Sequence, residues 1–264
     1  MSWYTGEQTY DTILALAFGL VLIVALSSAF VVAPYGRFAS GRYGLSLNPR
    51  LGWFLMELPA TLTFVVVFFL GRNSLQTVPL IFLAMWLIHY GNRGFAFPFL
   101  IRTPAGSRSS FSLMVVASGW LVTALHGYLN AAYIADLGSH YTSAWLTDPR
   151  FLIGLVVYYG ALLGNIHSDA ILRGLRTHAE IAEGQKVYRI PKGGLFRWVS
   201  NPSYLTELVA WAGFALCTWS LGSLFVLLIS CANLIPRAAA THRWYRERFE
   251  DYPAERKILI PFIW

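Results

Sequence analysis

Charged side chains are scarce in this sequence. Asp, Glu, Lys and Arg make up 12% of the 264 residues, against about 25% in an average soluble domain. Hydrophobic residues make up 56%, and the mean hydropathy is +0.52. This composition argues against a water-soluble globule and against a disordered chain. Two cysteines are too few for a disulfide framework.

Several enzyme motifs are also absent. The chain has no G-x-G-x-x-G after a strand, which excludes a Rossmann cofactor site, and no G-x-x-x-x-G-K-[ST] phosphate loop. No G-x-S-x-G indicates a serine hydrolase, and no H-E-x-x-H or His/Cys cluster indicates a metal. The basic segments are mixed with acids and lie beside apolar runs, so nucleic acid is not an expected partner.

Long apolar runs are what the sequence has in abundance. A helix needs about 20 apolar residues to cross a bilayer core about 30 Å thick. Seven stretches qualify as candidate spans: 12–33, 52–71, 74–90, 111–135, 151–168, 204–219 and 221–235. The last two are close enough to form a helical hairpin. No repeat or low-complexity linker divides the chain, so we predict one all-α, seven-helix membrane domain over residues 1–264.

The net charge of +7 is unevenly distributed along the chain. With seven spans, 18 of the 20 Lys and Arg residues fall in the odd-numbered loops and the tail, and two fall on the other side. The positive-inside rule then places the amino terminus outside and the carboxyl terminus in the cytoplasm. The host membrane is either a bacterial inner membrane or the endoplasmic reticulum, because this topology suits both.

Two acids lie within the predicted spans, Glu57 and Glu207. A carboxylate inside a bilayer costs several kcal/mol unless it is paired, hydrated or protonated, which makes each a candidate functional residue. Glu57 lies well inside the second span, where an apolar environment favours the neutral acid, and a neutral acid can donate a hydrogen bond to a carbonyl oxygen. Glu207 is as well explained by a structural ion pair. Tyr90 could polarise a ligand oxygen or lie in an interfacial belt, and we expect His126 to make an interhelical hydrogen bond.

Polar residues also follow the ends of two spans at helical spacing. Asn165, Asp169, Arg173 and Arg176 share one helix face if the fifth helix continues into the cytoplasm. A second such stripe after the last span contains Arg237, Thr241, Tyr245 and Arg248. Arginine binds phosphate through two parallel hydrogen bonds, so these stripes favour a phosphate-bearing ligand. For any single arginine, contact with anionic lipid headgroups explains the charge equally well.

Several motifs in this order resemble the steroid 5α-reductases, also called 3-oxo-5α-steroid 4-dehydrogenases. The matching stretches are W-F-L-M-E-L-P at 53–59, H-Y at 89–90 with Arg93, N-I-H-S-D at 165–169, Y-R-I-P at 188–191, G-G-L-F at 193–196, F-E-D-Y-P at 249–253 and R-K-x-L-I-P-F-I from 256 to 263. They run from the second span to the end of the chain. The N-I-H-S-D and R-K-x-L-I-P-F-I blocks are the most specific.

The resemblance implies a seven-span membrane enzyme that uses NADPH without a Rossmann fold. Glu57 and Tyr90 match the pair at the steroid 3-oxo group, with Trp53 and Met56 beside the substrate. The positions that match or neighbour the family's cofactor site are Arg93, Asn165, Asp169, Arg173, Arg176, Arg189, Asn201, Glu207, Arg237, His242 and Tyr245. The implied reaction transfers hydride to C5 of a 3-oxo-Δ4 steroid, stabilises the enolate at the 3-oxygen through Glu57 and Tyr90, and protonates C4.

Two positions depart from the family pattern. Met56 stands where the animal enzymes have Gln, which bears on steroid preference. Ser203 replaces an Asn that contacts nicotinamide, and Asn201 nearby is a possible substitute.

Three other functions remain open from the sequence. The first is a related membrane reductase that acts on another sterol, a polyprenol or an enoyl lipid. The second is a membrane methyltransferase of the isoprenylcysteine type, and the third is a sterol-binding or transport protein. Polar groups gathered at one face fit a two-substrate enzyme better than a through-pathway.

Overall fold

The computed structural model describes residues 4–28, 30–32, 34–38, 44–103, 111–184 and 187–264. The α-helices are α1 Gln8–Ser28, α2 Pro49–Leu70, α3 Thr77–Tyr90, α4 Phe97–Leu100, α5 Leu113–Ala132, α6 Pro149–Gly174, α7 His178–Ala182, α8 Pro202–Thr218 and α9 Leu221–Arg248. Two π-helical segments cover Gly91–Ala96 and Tyr133–Leu137, and 3-10 turns cover Gly36–Phe38, Ser143–Thr147 and Gly194–Arg197. The strands β1 (Ser46–Leu47) and β2 (Phe111–Ser112) pair antiparallel.

The predicted all-α class is confirmed, and each of the seven predicted spans contains a helix. Within the described residues, five helices are long and apolar enough to cross a membrane: α1, α2, α5 with its π extension, α6 and α9. As uninterrupted α-helices, α3 has 14 residues and α8 has 17. The number of crossings and the orientation of the termini stay predictions. Ala33, Arg42, Arg108 and Lys186, which entered the span and charge assignments, lie outside the described residues.

The third helical segment is longer than the sequence predicts. The predicted span ends at Tyr90, but the backbone continues as the π segment Gly91–Ala96 and then as α4 to Leu100. Gly91 and Asn92 are residues that favour the end of a helix, yet here the helix continues with the wider π geometry. π segments inside α-helices are frequent at functional sites.

The last helix continues beyond the predicted span, which ends at residue 235. It passes through Pro236 and ends at Arg248, as the helical spacing of the second polar stripe required. A proline inside a helix removes one backbone hydrogen bond, and here the buried face beyond it holds Arg237, Thr241 and Tyr245. The fifth helix does continue past its predicted span, as the polar spacing required. It ends at Gly174, so Arg176 lies just beyond it.

Glycines let the helices approach each other closely. A Cβ atom on Gly154 of α6 would lie 2.6 Å from both the Gly213 carbonyl oxygen and the Cys217 nitrogen of α8. Gly127 of α5 meets the backbone of α2 in the same way, 2.8 Å from the Phe64 nitrogen. Small residues at helix contacts are the usual means of tight packing in membranes. The α6–α8 and α2–α5 pairs therefore form rigid walls.

A buried polar cluster fixes α5 against the start of α9. The Asn130 side chain donates to the carbonyl oxygens of His126 (2.9 Å) and Gly222 (3.2 Å). It accepts a hydrogen bond of 2.6 Å from the Ser223 hydroxyl. Asn130 is fully buried, and pairing such groups avoids the cost of burying them unpaired. This cluster holds the backbone at His126 in place.

Candidate active site

An apolar cavity of about 310 Å³ lies between the helices. Aromatic and aliphatic side chains form most of its wall, which is typical of sites for lipid-like ligands. The polar and predicted site residues in its wall are Tyr35, Trp53, Met56, Glu57, His89, Tyr90, Arg93, Ser118, Thr123, His126, Glu207, Trp211, Ser230 and Asn233. The predicted catalytic and substrate-binding residues therefore share one cavity.

Glu57 is the acid of this cavity that has no hydrogen-bond or ion-pair partner in the part of the chain that the structure describes. It extends from α2 opposite the π segment, where a Cβ atom on Gly94 would lie 3.2 Å from the Glu57 Cβ and 4.0 Å from the Tyr90 ring. Among the described residues, no side chain or backbone group hydrogen bonds to its carboxyl group. A carboxyl group in this position is available to a ligand.

Tyr90 lies beside Glu57 at the junction of α3 and the π segment. Its hydroxyl is 3.1 Å from Nδ1 of His126 on α5, which confirms the interhelical hydrogen bond expected for His126. Tyr90 is 2% exposed, and its ring packs on Trp86 with 4.9 Å between centroids. Tyr90 is therefore a buried residue of the cavity wall and does not belong to an interfacial belt.

Glu207 differs from Glu57 because its oxygens are all engaged. Oε1 accepts a hydrogen bond from the Trp211 indole (2.9 Å) and lies 3.3 Å from Nε2 of His89. Oε2 accepts from the Asn165 side chain at 3.2 Å. A buried carboxylate with three partners orients the groups around it, and this supports the structural alternative for Glu207.

A hydrogen-bonded chain continues from Glu207 to Asp169. Asn165 also donates to the Ser203 carbonyl oxygen at 2.8 Å, and the Ser203 hydroxyl donates to Asp169 Oδ1 at 2.7 Å. Asp169 Oδ2 lies 3.4 Å from the Arg93 guanidinium. Ser203, one of the departures from the family pattern, is thus a link of this chain.

Arg93 lies between two aromatic rings. Its guanidinium is 4.7 Å from the Trp53 ring centroid and 4.8 Å from that of Phe97. Such stacking stabilises a cation that has left bulk water. Arg93 lines the apolar cavity, and its partner Asp169 lines a second one. The two cavities therefore meet at this ion pair.

The second cavity, of about 240 Å³, is strongly cationic, and we call it the arginine cavity. Its charged wall residues are Arg37, Arg102, Asp169, Arg173, Arg176 and Arg189. Asp169, Arg173 and Arg176 of the predicted stripe line this cavity together with Tyr245 of α9, whereas Asn165 does not line it. Five guanidinium groups around one space suit a ligand with several phosphates.

Two of these arginines also hold residues 187–189, which line the cavity. Arg176 donates to the Val187 carbonyl oxygen at 3.0 Å. Arg189 forms an ion pair with Glu180 and donates to the Leu175 carbonyl oxygen. The Arg189 hydrogen bond lowers the pKa of Glu180 to about 2, so this pair is charged at neutral pH. Residues 187–189 are therefore tied to the end of α6.

A third, smaller cavity of about 60 Å³ adjoins the arginine cavity and shares Arg37 and Tyr245 with it. Arg37 donates to the Tyr245 hydroxyl at 3.2 Å, while its Nη1 is buried. Neither Arg37 Nη1 nor the buried Thr241 hydroxyl has a hydrogen-bond partner among the described residues. Buried donors of this kind normally have acceptors, so these residues fit a cofactor with acidic oxygens.

Three predicted cofactor residues are engaged within the protein. Asn201 donates to the carbonyl oxygens of Ala238 and Ile258, both at 3.0 Å. Nδ1 of His242 lies 2.6 Å from the Ser200 hydroxyl. Arg237 lies 3.6 Å from the Tyr35 ring centroid. Asn201 as a substitute contact to nicotinamide stays a prediction, as do the other individual roles.

The structure adds residues that sequence reasoning missed. Arg37 and Arg102 line the arginine cavity, and His89 joins Glu207 in the apolar one. Arg37 entered the sequence argument only as a loop charge, although it immediately follows Tyr35 and Gly36. Among the described residues, no three His, Cys, Asp or Glu side chains lie close enough to hold a metal ion.

An apolar cavity with the Glu57 carboxyl group thus meets a cationic cavity within a bundle of apolar helices, and these helices fit a multi-pass membrane protein. The family model for 3-oxo-5-alpha-steroid 4-dehydrogenase matches residues 109–264. The chain belongs to this family of oxidoreductases.

Relatives from plants and animals match nearly the whole chain. Steroid 5-alpha-reductase DET2 of Solanum lycopersicum is 34% identical over 262 residues, which cover 98% of this chain and 99% of that protein. The 3-oxo-5-alpha-steroid 4-dehydrogenase 1 of Rattus norvegicus is 40% identical over 245 residues, 92% of this chain and 90% of that protein. The Mus musculus protein of the same name is 40% identical over 256 residues, 96% of each chain.

Proposed function

We propose that this chain reduces the Δ4 double bond of a 3-oxo-Δ4 steroid with NADPH and releases the 5α-dihydro-3-oxosteroid. The observation that carries the proposal is the unpartnered Glu57 carboxyl group beside Tyr90, in an apolar cavity that meets a cavity with five arginines. Two substrates of opposite polarity would then lie side by side. Family membership favours this function over a methyltransferase or a transport protein.

Glu57 and Tyr90 act at the steroid 3-oxygen. Hydride addition at C5 shifts the electrons of the C4–C5 double bond toward C3 and places negative charge on that oxygen. A protonated Glu57 and the Tyr90 hydroxyl both donate to it, and donors placed where charge develops are the strongest catalytic device of this kind. The enol then collapses to the ketone as C4 takes up a proton.

The arginine cavity would hold NADPH by its phosphates. When bound, NADPH supplies the hydride. Arg37, Arg173 and Arg176 would face the pyrophosphate and the 2′-phosphate, and Arg93 would stand between the cofactor and the steroid. The hydrogen bonds that connect Asp169, Ser203, Asn165 and Glu207 orient the wall between the two ligands. The aromatic residues of the apolar cavity exclude water from the reacting carbons.

The proposal includes the topology predicted from the charges. All seven helical segments cross the membrane, the amino terminus lies outside, and the arginine cavity opens to the cytoplasm, where NADPH is found. The membrane is bacterial or that of the endoplasmic reticulum. Five spans of sufficient length support a multi-pass protein.

Loss of NADPH absorbance tests the function directly. Purified protein in detergent is expected to oxidise NADPH only when a 3-oxo-Δ4 steroid is added, with the 5α-dihydro product identified by mass spectrometry. Met56 gives the cavity an apolar wall where the animal enzymes have Gln, so several steroids are compared. No oxidation with any of them contradicts the steroid assignment and favours a related reductase for another sterol, a polyprenol or an enoyl lipid.

If NADPH binds in the arginine cavity, substitutions of the arginines that line it should selectively weaken NADPH binding. Arg37→Gln and Arg173→Gln are each expected to raise the Kd for NADPH about tenfold or more, because a hydrogen bond to a charged group contributes about 1.5–3 kcal/mol. Isothermal titration or fluorescence quenching measures the Kd. Arg246→Gln is the matched control, because this exposed residue of α9 does not line the cavity. Equal effects of all three variants would instead favour a general role of the arginines at lipid headgroups.

A further inference from the structure

His126 stands behind Tyr90 and has no role in the proposed reaction. Its Nδ1 is 3.1 Å from the Tyr90 hydroxyl. Its ring packs on Phe225 with 5.6 Å between centroids, and its Nε2 is buried without a hydrogen-bond partner among the described residues. The question is which of the two residues donates the proton in the hydrogen bond.

Two arrangements of hydrogens satisfy this contact. A neutral imidazole carries one N–H, and a phenol carries one O–H. If Tyr90 donates to Nδ1, the imidazole proton is on Nε2, and the Tyr90 hydroxyl has no hydrogen left for a ligand. If Nδ1 carries the proton, His126 donates to Tyr90, and the hydroxyl hydrogen is free to point into the cavity.

The surroundings of Nε2 favour the second arrangement. In the first, a buried N–H would have no acceptor among the described atoms, whereas in the second only a lone pair is unused. Buried N–H groups without an acceptor are rarer than buried acceptors without a donor. The imidazole also packs against Phe225 and Trp211, with 5.6 and 6.4 Å between ring centroids, and these contacts restrict its rotation.

We infer that His126 is a positioning residue that donates from Nδ1 to the Tyr90 oxygen and thereby directs the Tyr90 proton to a carbonyl oxygen in the apolar cavity. The inference rests on the proposed function only for the use that Tyr90 makes of its proton. The hydrogen-bond direction itself is a property of the unliganded protein, so it has a test of its own.

The first experiment measures the tautomer without turnover. The full-length protein is labelled with ¹⁵N-histidine, and the His126 signals are assigned by their loss in His126→Asn. We expect the Nδ1 resonance of a protonated, pyrrole-type nitrogen and an unprotonated Nε2. The opposite pattern overturns the inference whether or not the protein reduces steroids.

The second experiment measures turnover. His126→Phe keeps a ring of similar size but lacks the donor. It is expected to lower kcat about tenfold to a hundredfold, below the roughly 10²- to 10³-fold cost of removing an oxyanion-stabilising donor itself. The KM for NADPH is expected to stay unchanged. His126→Asn places an amide nitrogen near the Nδ1 position and is expected to recover most of the kcat.

A double-mutant cycle separates positioning from general damage. In the Tyr90→Phe background, His126→Phe is expected to cause little further loss, because no hydroxyl is left to orient. The inference is contradicted if the fold-losses in kcat of the two single variants multiply in the double variant. It is also contradicted if His126→Phe alone keeps the full kcat. Absence of steroid reduction in the unmodified protein contradicts the proposed function instead and leaves the tautomer measurement to decide the inference.

Discussion

Glu57→Gln is expected to abolish steroid reduction while NADPH still binds. The substitution keeps the size and the hydrogen-bonding shape of the side chain but replaces the acid by an amide, a far weaker proton donor. Since Glu57 has no partner among the described residues, little of the fold depends on its charge. Removing one such stabilising donor costs about 10²- to 10³-fold in kcat, and a loss at the upper end of this range is expected for an acid.

A binding measurement and a control variant make this test decisive. The Kd of Glu57→Gln for NADPH is expected to lie within about twofold of that of the unmodified protein, because the arginine cavity lies beyond Arg93. A twofold change in Kd is far smaller than the roughly tenfold change that 1.4 kcal/mol of binding free energy produces. Glu247→Gln, at an exposed position of α9, is the matched control and should retain full activity. A Glu57→Gln enzyme with substantial activity would refute the role assigned to this residue.

Gly154→Leu is expected to prevent folding, and Gly154→Ala to weaken it strongly. Even the Cβ of alanine would lie 2.6 Å from backbone atoms of α8, and backbone cannot move aside as a flexible side chain can. Inserting atoms into a packed core usually costs about 1–3 kcal/mol. In a chain of this size each kcal/mol lowers the melting temperature by about 2–4 °C. Separation of α6 from α8 would also break the contacts of Asn165 with Ser203 and Glu207.

The same helix provides the control for this packing prediction. Gly160 is exposed on α6, and a Cβ atom there would meet nothing within 4 Å. Gly160→Ala is therefore expected to be neutral or to stabilise the helix by about 0.5–1 kcal/mol. The yield of monodisperse protein from detergent extraction and its melting temperature are measured for both variants. Equal stability of Gly154→Ala and Gly160→Ala would show that the close α6–α8 contact is not required.

The apolar framework of the site is predictable from the sequence because the bilayer makes charge expensive. Glu57 is an acid inside a predicted span, and this alone marks it as a candidate site residue. The sequence does not predict that Glu57 lacks partners whereas Glu207 is fully hydrogen bonded. Both are single acids in apolar runs, and only the approach of His89, Asn165 and Trp211 distinguishes the second as an engaged carboxylate.

Contacts between residues far apart in the sequence explain why other site residues were not predicted. Arg37 binds Tyr245, which is 208 positions away in the chain, and no local pattern links the two. The Asn165, Asp169 and Arg173 stripe was predictable because all three lie on one helix, whose period is regular. The continuation of α3 beyond Tyr90 was not, since glycine and asparagine end helices far more often than they widen them.

The π segment at Gly91–Ala96 makes this part of the chain sensitive to length as well as to side chains. Each residue of a helix turns the chain by about 100°, so removing a single residue such as Asn92 would rotate everything beyond it by about that angle. Arg93 and Phe97 would turn together away from Trp53 and Asp169, and the two ligand spaces would lose their common wall. Over these six positions, a gap in an alignment is a stronger sign of altered chemistry than several substitutions.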